Sequence, residues 1–149
     1  MEAFRKLHKG NPQYELYIAG PSDLEVDEEG IHNLGLLSFS ELIEYFNLCD
    51  VFVMPSRFEA YGIVFGEALS FGLPCIGRNA YEMPYFIQEG ENGYLLKDKD
   101  DPDELASLMK QAIENEKMRK YVKDNREKYI ELYSWDSVVK RMTEFINSK

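Results

Sequence analysis

Short apolar runs along this chain alternate with stretches whose apolar positions recur every three or four residues. One such run, Val51–Met54, leads into a polar loop that ends at Tyr61 and Gly62. An apolar segment of helical length follows and stops at Gly72, after which Pro74 opens a second short apolar run. This order predicts a strand, a loop, a helix and a second strand, the arrangement in which open α/β sheets bind ligands at the carboxyl ends of their strands.

The same alternation continues along the chain and predicts one doubly wound, Rossmann-like α/β domain with a parallel sheet. Ser38 and Glu41 match a helix-capping box, and Asp101, Pro102 and Glu104 match a second helix start. The predicted strands are 14–19, 31–37, 51–54, 75–77 and 94–97; the predicted helices are 2–9, those after Ser38, Gly62 and Asp101, 116–133 and 134–149.

Two glutamates stand at the end of the central strand. Glu59 falls in the loop, and Glu67 lies about five residues into the helix, roughly 7 Å along its axis at about 1.5 Å per residue. The ordinary interpretation of a helical glutamate is a solvated face. However, the neighbours of Glu67 are apolar nearly all round, so a carboxylate there needs a partner or a ligand. A pair of acceptors at this edge suits a polyhydroxylated ligand.

Composition narrows the classes of partner. The chain has 149 residues and a formal net charge of −10, which argues against nucleic acid or an anionic membrane surface as the partner. We interpret Cys49 and Cys75 as free thiols. Free thiols are typical of a reducing compartment, so we expect a cytoplasmic protein. His8 and His32 have no metal-ligand or triad spacing, and we expect both at the surface.

The segment from Ser56 to Pro74 resembles the E-x7-E signature of group 1 retaining GT-B glycosyltransferases, with Glu59 and Glu67 as its two glutamates. The similarity extends from Tyr14 to Trp135. It implies that Glu59 is the catalytic residue that orients the transferred hexose, and that Glu67 binds the ribose of the nucleotide. The loop residues between them, Ala60, Tyr61 and Gly62, would line the same donor site.

The loop after the strand at 75–77 departs from the family pattern. The family has a glycine pair whose amides face the donor phosphates; here we place that pair at Asn79 and Ala80, since asparagine tolerates a left-handed backbone. Arg78 is either a phosphate ligand or a member of a surface salt bridge. The acidic residue that the family shows after a proline is absent, and Glu82 is the candidate replacement.

The resemblance implies the donor-binding half of an enzyme that moves a hexose from a nucleotide-diphosphate sugar to a glycan, lipid or small-molecule acceptor, as in polysaccharide biosynthesis. We expect no metal and no other cofactor. The alternatives are a non-catalytic remnant or interaction domain with the same fold and, nearer in class, a GT-B sugar phosphorylase or nucleotide-sugar epimerase. In the family an N-terminal domain binds the acceptor and can lie at a membrane, and the C-terminal helix, here 134–149, crosses back toward it.

The family's domain also begins with a central strand and with an arginine and a lysine that clamp the diphosphate. No apolar run precedes residue 2. We therefore expect an open slot between the strands at 14–19 and 51–54, weak donor binding, no transfer by this chain alone, and a homodimer that covers the open strand edges.

Overall fold

The computed structural model describes residues 1–21, 26–97 and 101–148, in which parallel strands alternate with helices. The strands are β1 (Leu16–Ala19), β2 (Ile31–Gly35), β3 (Phe52–Val53), β4 (Cys75–Arg78) and β5 (Gly93–Leu96). The helices are α1 (Glu2–Gly10), α2 (Phe39–Leu48), α3 (Ile63–Ser70), α4 (Met83–Phe86), α5 (Pro102–Glu114), α6 (Glu116–Asp124), α7 (Arg126–Tyr133) and α8 (Trp135–Asn147). This is the α/β class that the alternation predicts.

The strands form two parallel groups. β1 pairs with β2, and β3, β4 and β5 pair in that order. Parallel neighbours need crossover helices, and the helices between the strands supply them. β4 is buried along its whole length, as expected for a central parallel strand covered on both faces. The ends of β3 and β4 therefore lie side by side at one edge of the sheet.

A slot separates the two groups of strands. It is a cleft of about 670 Å³ between β1 and β3, with Phe4 and Leu7 of α1 among its lining residues. The N–H groups of Leu16 and Phe52 point away from the slot and donate to the carbonyls of Gly30 and Pro74. Backbone groups alternate in direction along a strand, so those of the next residues point into the slot. The expected gap between these two strands is confirmed.

Two helix starts follow the predicted capping chemistry. Ser38 accepts from the Glu41 N–H while the Glu41 carboxylate accepts from the Ser38 N–H, a complete capping box for α2. Asp101 accepts from the backbone of Asp103 and Glu104 and so caps α5. The Glu104 carboxylate accepts from the Lys97 N–H at 3.1 Å and ties α5 to the end of β5.

α3 lies directly on α7 because its second turn carries a glycine. A Cβ atom on Gly66 would stand 3.0 Å from Cγ of Tyr133, so a larger residue would push α7 away. Phe65, Ala68 and Leu69 of α3 are fully buried. These contacts fix α3, and with it Glu67, against the core.

The C-terminal region differs in part from the expectation. The predicted single helix 116–133 is two helices, α6 and α7, that meet at Asn125. The last helix, α8, is present but has no buried residue. Its apolar side chains are mostly exposed, and Trp135 is 75% exposed. Within the described ranges, no helix has both the length and the apolar character needed to cross a membrane.

Candidate functional site

Two loops meet at the carboxyl edge of β3 and β4. The first joins β3 to α3, and the second joins β4 to α4. In open parallel sheets, ligands bind outside the carboxyl ends of the strands, so this edge is the candidate ligand site. All the residues that the sequence analysis assigns to the site lie in these loops, at the end of β4 or in the first turns of α3.

Glu59 holds the residue at which α3 begins. Its Oε1 accepts a hydrogen bond of 3.0 Å from the N–H of Gly62, the N-cap residue. A carboxylate here also benefits from the positive end of the helix dipole. Gly62 has φ +78°, and an added Cβ would meet Cδ2 of Phe65 at 2.9 Å, so the turn requires glycine. One oxygen of the half-buried Glu59 is thus committed to the fold.

Glu67 is different, because nothing in the described part of the chain hydrogen-bonds or pairs with its carboxylate. It is the fifth residue of α3 and is half-buried between residues that are fully buried. Its oxygens are not among the buried unsatisfied atoms, so solvent or a ligand can reach them. The carboxylate is therefore partly desolvated and free to accept hydrogen bonds.

Ala60 and Tyr61 lie between these two glutamates and are exposed. The Tyr61 ring packs edge-on against Phe86, with ring centroids 5.6 Å apart. This contact joins the first loop to α4. Neither residue brings a charged group to the site, so their contribution is the shape of its wall.

Arg78 lies inside the protein. It is 7% exposed, and its Nη2 donates to the carbonyl of Pro55 at 3.1 Å. This position differs from the solvent-exposed one that the sequence analysis considered for the residue. The contact holds the start of the first loop against the end of β4. Phosphate binding by Arg78 stays a prediction, and bracing the loop is the role that its contacts show.

The left-handed turn in the second loop falls at Tyr81, with φ +54°, and Asn79 has an ordinary negative φ. The amides placed at the phosphates are also engaged: Asn79 N–H donates to Leu96 O and Ala80 N–H to Arg78 O. Both amides are thus engaged within the protein, and phosphate binding at Asn79 and Ala80 stays a prediction. Asparagine would adopt this turn at lower cost, but the hydrogen bond to β5 holds Asn79 in the sheet.

The backbone N–H groups of Tyr81 and Glu82 are candidate anion donors that the sequence analysis did not single out. Neither N–H has an acceptor within the described ranges. A left-handed residue followed by a right-handed one, here Glu82 with φ −84°, directs successive N–H groups to one side and forms an anion-binding concavity. Tyrosine has no preference for the left-handed conformation, so residue preference gives no signal for a turn at this position.

Two aromatic rings stand beside these groups. Phe58 is 72% exposed, Tyr81 is 57% exposed, and their centroids lie 5.4 Å apart in an edge-to-face arrangement. A left-handed conformation costs a non-glycine residue roughly 1–2 kcal/mol. One exposed ring contact contributes about 0.5–1.5 kcal/mol. The contact therefore no more than offsets the strain at Tyr81.

The groups behind the site are neutral. Burial raises the pKa of the Tyr133 hydroxyl, and of the Cys75 thiol at the base of β4, well above their ordinary values. In the described residues, no three His, Cys, Asp or Glu side chains come close enough together to hold a metal ion. The two glutamates and the backbone amides are thus among the acceptors and donors that the site offers.

Comparison with known proteins identifies the family pattern in most of the chain. The sequence model of "Glycosyl transferases group 1" matches residues 1–129. An uncharacterized glycosyltransferase of Methanocaldococcus jannaschii is 31% identical over 109 residues, which are 73% of this chain and 31% of that protein. A D-inositol 3-phosphate glycosyltransferase of Corynebacterium urealyticum is 29% identical over 108 residues, 72% of this chain and 25% of that protein.

Solved structures show the same fold. The pneumococcal O-GlcNAc transferase GtfA, solved with UDP and GlcNAc, matches 99% of this chain and 32% of its own at a TM-score of 0.77 and 23% identity. Sucrose-phosphate synthase from Thermosynechococcus elongatus matches 99% of this chain and 41% of its own at a TM-score of 0.79 and 21% identity. The chain spans about a quarter to a third of the length of the curated relatives described above.

Proposed function

The chain belongs to the group 1 glycosyl transferases, and on this premise we propose that it is the donor-binding domain of a retaining, nucleotide-sugar-dependent hexosyltransferase. The observation that carries the proposal is the carboxylate of Glu67, which is half-buried in α3 and has no partner in the described residues. A group of this kind is costly to the fold and useful to a ligand that donates hydroxyls. UDP and UDP-glucose, which are present in solved complexes of structurally similar proteins, fit this chemistry.

In the proposed complex, Glu67 accepts hydrogen bonds from the ribose hydroxyls. Glu59 accepts from the hexose through the oxygen that Gly62 leaves free. Because each carboxylate faces a different part of the donor, the two residues have separable effects on nucleotide and nucleotide-sugar binding. Glu59 thereby orients the hexose for transfer and is the proposed catalytic residue.

In this proposal the backbone amides of Tyr81 and Glu82 bind the diphosphate. The N-terminus of α3 is a weaker candidate, since the Glu59 carboxylate already stands there and would repel a phosphate. Backbone donors stabilise the charge of the leaving diphosphate without a metal. With a net charge of −10 the overall field opposes anions, so phosphate binding depends on local donors such as these amides.

The acceptor belongs to another domain in this proposal. α8 supports such an arrangement, since its apolar residues form an exposed set without a buried member: Trp135, Val139, Met142, Phe145 and Ile146. A second domain packed against this helix would remove that surface from water. Residues 1–149 alone would then bind donors weakly and transfer nothing, and the cytoplasmic location and the role in polysaccharide synthesis remain part of the proposal.

Self-association is the proposed behaviour of the chain by itself. The slot between β1 and β3 leaves backbone groups of both strand edges without strand partners. A second copy that covers these edges would satisfy some of them and bury the apolar lining.

The test is ligand-observed NMR with the 149-residue chain, which detects weak binding. UDP with UDP-glucose and GDP with GDP-mannose serve as the probes. We expect saturation transfer to the ribose protons of at least one nucleotide. The non-catalytic alternative, an interaction domain that has lost the donor site, predicts no transfer to any of the four, and that result would overturn the proposal.

A further inference from the structure

Phe58 and Tyr81 connect the two loops of the site through their side chains. Phe58 directly precedes Glu59 in the first loop, and Tyr81 directly follows Ala80 in the second. Their rings meet edge to face with an angle of 71° between planes, and most of each ring surface is exposed. An edge-to-face pair of this kind leaves a ring face open to a third group.

The backbone shows that the fold does not require the ring at Tyr81. It is the one non-glycine residue with a positive φ in the described ranges. Glycine adopts this conformation freely, and tyrosine adopts it under strain. Burial does not repay the strain, because the side chain is mostly exposed. An aromatic residue held in an unfavourable conformation, exposed, and beside a candidate ligand site is best explained by a contact with the ligand.

We propose that Phe58 and Tyr81 form a platform on which the pyranose ring of the donor's hexose stacks. This proposal rests on the donor-binding function proposed above and adds the residues that recognise the sugar. The C–H face of a pyranose is apolar and carries slight positive charge, which matches the negative face of an aromatic ring. The hydroxyls at the rim of the same sugar would reach Glu59, the next residue after Phe58.

The hexose is preferred over the nucleobase as the occupant for two reasons. The platform adjoins Glu59, whereas Glu67, the proposed ribose ligand, lies eight positions further along and inside α3. The amides of Tyr81 and Glu82, which have no acceptor in the described residues, belong to Tyr81 itself and to the residue after it. The sugar is bonded to the diphosphate, so an aromatic surface next to phosphate-binding amides lies where the sugar begins.

The experiment separates the ring from the strain with two variants of one residue. Tyr81→Gly removes the ring and relaxes the backbone; Tyr81→Ala removes the ring and keeps the positive φ. Phe58→Ala removes the other ring, and Phe39→Ala, at an aromatic residue of α2 that is 63% exposed, is the matched control. Dissociation constants for UDP, UDP-glucose, GDP and GDP-mannose come from NMR titration, and melting temperatures from circular dichroism.

We expect Tyr81→Gly, Tyr81→Ala and Phe58→Ala to weaken the nucleotide-sugar roughly 3- to 10-fold, with the free nucleotide unchanged. Tyr81→Gly should melt above Tyr81→Ala while losing the same affinity, and Phe39→Ala should change neither ligand. Equal weakening of nucleotide and nucleotide-sugar would place the base on the platform and overturn the proposal. So would unchanged nucleotide-sugar affinity in the Tyr81 variants while the wild-type chain binds, and in that case the donor-binding function would stand. A wild-type chain that binds none of the four probes would refute both.

Discussion

Replacing the Glu67 carboxylate tests the assignment on which the proposed function depends. Glu67→Gln keeps the size of the side chain and removes its charge. Two charge-assisted hydrogen bonds to ribose hydroxyls contribute about 1.5–2 kcal/mol each, so losing both costs about 3–4 kcal/mol. Glutamine can retain a neutral bond to one hydroxyl, which brings the expected loss to about 2–3 kcal/mol, or roughly 30- to 150-fold in the dissociation constant of the nucleotide.

The same substitution should not destabilise the fold. The carboxylate is half-buried and receives no hydrogen bond or ion pair from the described residues, so no native contact is lost with the charge. Neutralising a partly desolvated and unpaired carboxylate leaves the free energy of unfolding unchanged or raises it. A loss of affinity together with unchanged or greater stability is the signature of a residue that serves a ligand.

The assay combines NMR titration of the isotopically labelled chain with urea unfolding of the same samples. Glu44→Gln is the control, because Glu44 is an exposed glutamate in α2. The control should change neither quantity. Unchanged nucleotide affinity in Glu67→Gln would refute the ribose assignment, and a loss of stability would show that the carboxylate serves the fold.

Three further predictions concern Glu59, Cys75 and the slot. Glu59→Ala should weaken nucleotide-sugars but not free nucleotides, and equal losses for both ligands would mean misassigned roles. It should also cost about 1 kcal/mol of stability, because the Gly62 N–H loses its hydrogen bond. Burial raises the pKa of Cys75 above its ordinary 9.0, so the unfolded chain releases this proton first and stability falls as the pH rises above about 9. The free energy of unfolding, from urea titrations, should fall less steeply with pH in Cys75→Ala, by up to about 1.4 kcal/mol per pH unit. Identical slopes in the two proteins would contradict the linkage. Finally, sedimentation equilibrium should show a dimer of the 149-residue chain, and a monomer at high concentration would argue against it.

The fold was predictable because its signals are local. Apolar runs, the Ser38–Glu41 capping box and the Asp101 cap each specify an element within a few residues, and all three agree with the structure. The break at Asn125 was not predictable from the charge pattern, which continues across it. It depends on tertiary packing: α6 buries Met118 and Val122, whereas α7 turns to place Tyr129 in the core and Tyr133 on Gly66.

The two glutamates of the candidate site could be picked out from the sequence, but the position of the left-handed turn in its second loop could not. Glu59 and Glu67 are marked by their spacing and by the apolar neighbours of Glu67, which are properties of the sequence itself. The free amides depend on which residue turns left-handed, and residue preference favours Asn79 over Tyr81. The structure reverses that preference because Asn79 donates its N–H to Leu96 O and continues the β4–β5 pairing by one residue. The turn therefore starts later, at Tyr81, for which the left-handed conformation is unfavourable.

The unfavourable conformation of Tyr81 and the unpaired carboxylate of Glu67 have the same explanation. An unpaired, half-buried carboxylate at Glu67 and a strained, exposed ring at Tyr81 both lower the stability of the domain, and each can be replaced by a residue that the fold would tolerate better. Loops that serve packing alone have no reason to hold both at one edge of the sheet. A ligand with hydroxyls, an apolar ring face and a diphosphate would satisfy the carboxylate, the aromatic pair and the amides of Tyr81 and Glu82 together. A nucleotide-sugar has all three groups in one molecule.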